Sequence, residues 1–210
     1  MQPHIVLLGD SVFDNGAYVS GGPDVIAQLR EALTKDARAT LLARDGAVTR
    51  DVTTQLKNLP SDTTHLVISA GGNDALGVSG ILEERAASVA EVLARVADIQ
   101  DRFRDDYREM IEAAAATRLP VAVSTIYDPR FEDPIRRRIG TTALAVFNDV
   151  ITREAFSRGI DVLDLRLICN EDADFANPIE PSSRGGAKIA SAIAKLVSGG
   201  ADSSRAIGRP

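Results

Sequence analysis

Three short stretches carry groups suited to acyl chemistry, each directly behind an apolar run, and a fourth lies near the end of the chain. Gly9-Asp10-Ser11 places a hydroxyl immediately after the run His4–Gly9. A serine held at the tip of a buried strand presents a nucleophilic oxygen and a backbone N–H that can face a ligand; taken alone it fits a turn or helix cap equally well. Arg44-Asp45-Gly46-Ala47 follows Ala39–Ala43, and a glycine there can adopt positive φ and turn its N–H toward a cleft. Ala70-Gly71-Gly72-Asn73-Asp74 closes the run His65–Ala70. A side-chain amide from Asn73 beside two backbone N–H groups has the composition of an oxyanion hole, the plain alternative being an Asx turn. The fourth stretch, Asn177-Pro178-Ile179-Glu180-Pro181-Ser182, precedes Gly185-Gly186 and an apolar helix that Ser182 is suited to cap.

These groups need elements to carry them. Five near-continuous apolar runs, His4–Gly9, Ala39–Ala43, His65–Ala70, Pro120–Thr125 and Ile160–Leu163, have strand length and the composition of parallel strands covered on both faces. Helical periodicity separates them, over about 24–34, 49–57, 133–157 and 182–197. It is clearest in Val89, Leu93, Val96, Ile99, Phe103, Tyr107, Met110 and Ala114, which step by three or four throughout. Alternation of this kind predicts βαβ units and a parallel sheet between helices. Ligands then bind beyond the carboxyl ends of the strands, where the first three stretches lie. One domain is expected over residues 1–198, followed by an aperiodic Gly/Ser/Arg-rich tail, 199–210, expected to be frayed.

Composition narrows the function. A net charge of −6 gives no attraction to nucleic acid or to an anionic membrane surface. Aromatic residues make up 4% of the chain and Trp is absent, which argues against a carbohydrate- or base-stacking surface. A lone cysteine, Cys169, forms no internal disulfide, and with no basic leader and no apolar stretch of about 20 residues the expected location is cytoplasmic. No Gly-x-Gly-x-x-Gly follows the first strand, no phosphate loop is present, and two scattered histidines with one cysteine do not make a zinc site. A metal-dependent phosphotransferase built on Asp10 and Asp14 leaves Gly46 and Asn73 without a role.

Together the four stretches resemble the blocks of the SGNH (GDSL-type) hydrolase family over residues 4–197. Gly9-Asp10-Ser11 resembles the nucleophile block, with Val12 where Leu is usual. Gly46 resembles the oxyanion glycine, and Gly71-Gly72-Asn73-Asp74 resembles the Gly-x-Asn-Asp block. The resemblance implies a flavodoxin-like three-layer sandwich with a five-stranded parallel sheet. It implies hydrolysis of a small-molecule acyl ester by Ser11, with Ser11, Gly46 and Asn73 as oxyanion donors, and no metal or cofactor.

The fourth block departs from the family. Where the pattern is Asp-x-x-His-Pro, this chain reads Asn177-Pro178-Ile179-Glu180-Pro181. The two histidines, His4 and His65, open strands at the amino edge. Seven extended residues, roughly 23 Å, separate His4 from Ser11, far beyond the reach of a base. Glu180 is then the candidate base, provided burial raises its pKa from about 4.3. Asn at 177 would spare it a second carboxylate. Other readings stay open: Arg184 paired with Glu180 in a structural loop, a catalytically inactive ligand-binding or interaction module on the same scaffold, and acyl transfer to an alcohol other than water. The Arg-rich segment 128–138 is expected to be a solvated loop and helix face, its alternative being a rim that meets a substrate carboxylate or phosphate.

Overall fold

The computed structural model describes residues 2–199; from residue 200 on, the expected tail lies outside the described residues. Five parallel strands, β1 (His4–Gly9), β2 (Arg38–Leu41), β3 (His65–Ser69), β4 (Val121–Ser124) and β5 (Asp161–Leu163), form one sheet in the order β2-β1-β3-β4-β5. Alternation of side chains across the pleat divides the core in two. Ile5 and Leu7 face α1 (Val25–Ala32) and α7 (Ser183–Ser198), while Val6 and Leu8 face α2 (Val52–Leu56), α4 (Val89–Ala116) and α5 (Pro134–Phe156). All four β1 side chains are fully buried, which is why the strand reads as continuously apolar. The result is the three-layer α/β sandwich expected from the sequence, and every predicted strand and long helix is present within a few residues.

Strand order reverses direction at β1, so a crevice opens where the carboxyl ends of β1 and β3 diverge. The two long helices enlarge it. In α4 the buried residues run only from Phe103 to Ala114, and in α5 from Phe147 to Ala155. Their C-terminal halves therefore pack on the sheet while their N-terminal halves rise past its carboxyl edge. A short helix, α3 (Gly72–Gly77), and a 3-10 turn (Ser79–Glu83) bridge β3 to α4 over the same edge. Beyond β5 the chain forms α6 (Leu165–Ile168) and a small antiparallel ribbon, β6 (Phe175–Asn177) and β7 (Glu180–Pro181), before α7. Neither α3 nor the ribbon was anticipated from periodicity. Among the described residues no helix is long and apolar enough to cross a membrane.

Candidate active site

Ser11 and Glu180, 169 positions apart in sequence, meet at the carboxyl edge: Ser11 Oγ donates to Glu180 Oε1 over 3.0 Å. Both are nearly inaccessible, at 7% and 6% exposure. Burial pushes the Glu180 carboxyl up to about 7; the Ser11 hydroxyl bond opposes the rise and the nearby Asp45 charge adds to it. Glu180 Oε2 is also buried and has no hydrogen-bond partner among the described residues. A carboxylate desolvated in this way keeps its proton longer than one in water and is a stronger base once it ionises. Asp10, beside Ser11, is likewise raised to about 7 by burial, although it accepts bonds from Ser69 Oγ (3.0 Å) and Val12 N–H (3.2 Å).

Three loops converge on this pair. Gly46 turns with φ +78°, in the left-handed region that a side chain would strain. It stands exposed at the rim, outside the cavity wall, whereas Asn73 lies in that wall. Asn73 Nδ2 donates to Ala47 O over 2.9 Å, and Asp74 Oδ2 accepts from both the N–H (3.0 Å) and hydroxyl (2.9 Å) of Thr49, so the second and third blocks are locked together. The second Nδ2 hydrogen of Asn73 is left for a ligand. Neither the Ser11 nor the Gly46 N–H has an acceptor among the described residues.

Several residues that hold this arrangement were not identified in the sequence. Gln55, buried, clasps the tip of β1, accepting from Gly9 N–H (2.6 Å) and donating to Gly9 O (2.9 Å). Asn15, fully buried, donates to Pro181 O over 3.1 Å and accepts from Val25 N–H over 2.9 Å. Tyr127 donates to Ile179 O over 2.6 Å. Glu180 is thus gripped through the carbonyls on either side of it. The visible signals were an Asn between Asp14 and Gly16 and a Tyr just past β4; neither names its distant partner.

The Lipase_GDSL_2 family model, described as "GDSL-like Lipase/Acylhydrolase family", matches residues 7–187, which spans all four stretches. The chain belongs to the GDSL-like lipase/acylhydrolase family. No curated protein matches it in sequence. Among solved structures it is similar to an extracellular lipase from Streptomyces rimosus, with 19% identity, TM-score 0.64, and 94% of this chain and 99% of that one covered. It is also similar to a phospholipase A1 from Streptomyces albidoflavus NA297, with 18% identity, TM-score 0.64, and coverage of 96% and 100%. An acetyl xylan esterase, AlAXEase, gives 16% identity, TM-score 0.66, and coverage of 93% and 98%. At these identities the likeness speaks for the fold.

Relative to the pattern of this family, the fourth block is where the chain differs, and the structure shows what its residues do. Asn177 Oδ1 accepts from Ile179 N–H over 2.9 Å, closing the turn of the ribbon rather than orienting Glu180. Arg184 bonds Glu171 and lies 3.4 Å from Asp174, leaving Glu180 without a cationic partner among the described residues. Ser182 caps α7 by accepting from Gly185 N–H over 3.2 Å. His4 and His65 sit at the amino edge, where His4 contacts Asp62 (3.0 Å) and Thr40 (2.8 Å) and His65 contacts Thr64 (2.8 Å). Cys169 is buried, and desolvation pushes its thiol up to about 12, which suits a packing residue.

Proposed function

We propose that the chain is a serine ester hydrolase in which Glu180 does the work of the missing histidine. The observation that carries this is the buried 3.0 Å bond from Ser11 Oγ to Glu180 Oε1. Glu180 takes the hydroxyl proton as Ser11 attacks the acyl carbonyl. The developing oxyanion is met by the N–H groups of Ser11 and Gly46 and by Asn73 Nδ2. Glu180 then gives its proton to the departing alcohol, leaving an acyl-serine. A water deprotonated by Glu180 attacks that ester, and the proton returns to Ser11 as the acid leaves. Family membership and the acyl-ester chemistry of the named neighbours support the reaction class. A carboxylate with a pKa raised to about 7 has the strength that general-base catalysis at neutral pH requires.

The test is turnover of activated esters by wild type, Ser11→Ala and Glu180→Gln. Loss of about two orders of magnitude or more in kcat in both variants supports the reading; full turnover by Ser11→Ala ends it. A second reading, a ligand-binding module without chemistry, is favoured by one observation: among the described residues Glu180 Oε2 lacks a partner to orient it as an aspartate would orient a histidine. If wild type is inert and the pair Glu180→His with Asn177→Asp creates activity, that second reading holds.

A further inference from the structure

The catalytic pair opens into a cavity of about 220 Å³ whose walls are largely hydrocarbon. One wall is a face of α5: Gly140, Ala143, Leu144 and Phe147, with Arg136 one turn further toward the helix start. Spacings of three and four put these residues in a single stripe, and the eleven helical steps from Arg136 to Phe147 make it about 16 Å long. Leu76, Ile81 and Leu82 over the edge of β3, with Val96 and Ile99 of α4, form the facing wall. The stripe has an inner and an outer end. Phe147 is buried beside Phe103, whereas Arg136 is exposed.

Arg136 and Arg138 both lack an anion partner among the described residues, and of the two only Arg136 lies in the cavity wall. Of the consecutive Arg136, Arg137 and Arg138, Arg137 pairs with Asp172 over 2.8 Å. No carboxylate among the described residues comes within ion-pair distance of Arg136, whose guanidinium instead stacks 4.4 Å over the ring of Phe131, itself part of the cavity wall. Stacking holds the planar fork at the outer end while leaving its edge N–H groups unused, the geometry that suits a carboxylate or phosphate. An oxyanion placed there stays hydrated on one side, so the pairing does not carry the cost of a buried charge.

We infer that the cavity takes an unbranched aliphatic acyl arm whose far end bears an oxyanion read by Arg136. This rests on the reading of Ser11 and Glu180 as the reacting end. At about 1.3 Å of advance per carbon–carbon bond, the stripe matches an arm of roughly twelve carbons. Gly140 lets Pro129 and Phe131 pack close to the helix, since a Cβ there would lie 3.0 Å from Pro129 Cγ, and Ala143 sets the bore of the channel.

The inference is tested with nitrophenyl esters of increasing acyl length, each ended by a methyl, a carboxylate or a phosphate. kcat/KM is expected to climb by about four-fold per methylene until the cavity is full. At the longest fitting lengths, oxyanion-ended esters are expected to exceed methyl-ended ones by roughly two- to five-fold, and the better of the two oxyanions names the source. Arg136→Gln abolishes that preference, Arg138→Gln retains it, and Ala143→Phe moves the optimum to shorter arms. A flat length profile, or methyl ends equal to oxyanion ends at every length, overturns the inference. Calorimetric binding of decanoate and decanol separates it from the hydrolase reading. If no ester turns over, yet decanoate binds more tightly than decanol and Arg136→Gln removes the difference, hydrolysis is wrong and the cavity assignment stands. If decanoate binds no better than decanol, the assignment fails whatever the esters do.

Discussion

At the scale of single residues, Glu180 is the chemical centre of the proposed mechanism and also a source of instability. Its carboxyl is raised to about 7 in the folded protein from an ordinary value of 4.5. Between those values the folded state holds a proton that the unfolded chain has released, so stability falls as pH rises through the window. Activity runs the other way, because only the ionised form accepts the Ser11 proton. In the acid limb kcat/KM is therefore expected to rise about ten-fold per pH unit and to level off above about 7, which a pH–rate profile checks. Replacing Glu180 with Gln removes the titration. In urea unfolding the variant is expected to gain on the order of 2–3 kcal/mol over wild type at pH 8 and almost nothing near pH 4. A Glu180→Gln protein less stable than wild type at pH 8 contradicts the idea that the carboxylate is held against its own solvation. Asp10 shares the direction of shift mainly through burial; the Glu180 charge adds a smaller part, which the variant also removes, so both act in the same direction.

At the scale of elements, the proposed base is carried by a strand of two residues, too short to position anything by its own ladder. Its placement comes from outside: Asn15 on Pro181 O, Tyr127 on Ile179 O, and Arg130 N–H on Pro178 O at 2.7 Å. Tyr127→Phe keeps the ring packed edge-on to Phe175 and removes only the donor. Leaving the Ile179 carbonyl unpaired is expected to cost about 1–3 kcal/mol. As the base loosens, kcat should fall by roughly ten-fold with KM almost unchanged; steady-state kinetics separate this positioning role from a merely structural one, which would leave kcat of the folded fraction intact. The other support of the ribbon is contact with α7. A Cβ on Gly185 would lie 2.1 Å from Asp174 O, so helix and loop touch backbone to backbone. Gly185→Ala is expected to destabilise by about 1–3 kcal/mol through overpacking, visible as a lowered Tm, and to reduce turnover because the displaced loop is the one that ends in Glu180.

At the scale of the whole molecule, what was legible in the sequence follows from how burial writes itself. Strands covered on both faces become unbroken apolar runs, and helices with one buried face repeat every three or four residues, so the sheet and the long helices could be read directly. The same two facts located Ser11, Gly46 and Asn73, because strand ends in a parallel sheet converge on one edge. The β6–β7 ribbon left no such trace: its strands are three and two residues long, with Pro178 in the turn between them and Pro181 ending the second. Nor did the clamps of Gln55 and Asn15, whose bonds span 46 and 166 positions and depend on a fold that must first exist. Glu180 was found only through the block it replaces. This division between core and edge predicts that stability and chemistry separate by position along one strand. Ile5 and Leu8 are both fully buried in β1, Ile5 near its amino end and Leu8 directly before Gly9. Each truncated to Ala is expected to cost about 2–5 kcal/mol in urea unfolding. Ile5→Ala leaves kcat/KM within about two-fold below the transition, since its cavity lies on the α1–α7 face and away from the carboxyl edge. Leu8→Ala, on the face shared with Ile68 and one residue from the tip clasped by Gln55, lowers kcat/KM several-fold at matched folded fraction. Equal loss of activity in the two variants would mean that the sheet transmits strain along its whole length, and that the edge is not the independent platform its burial pattern implies.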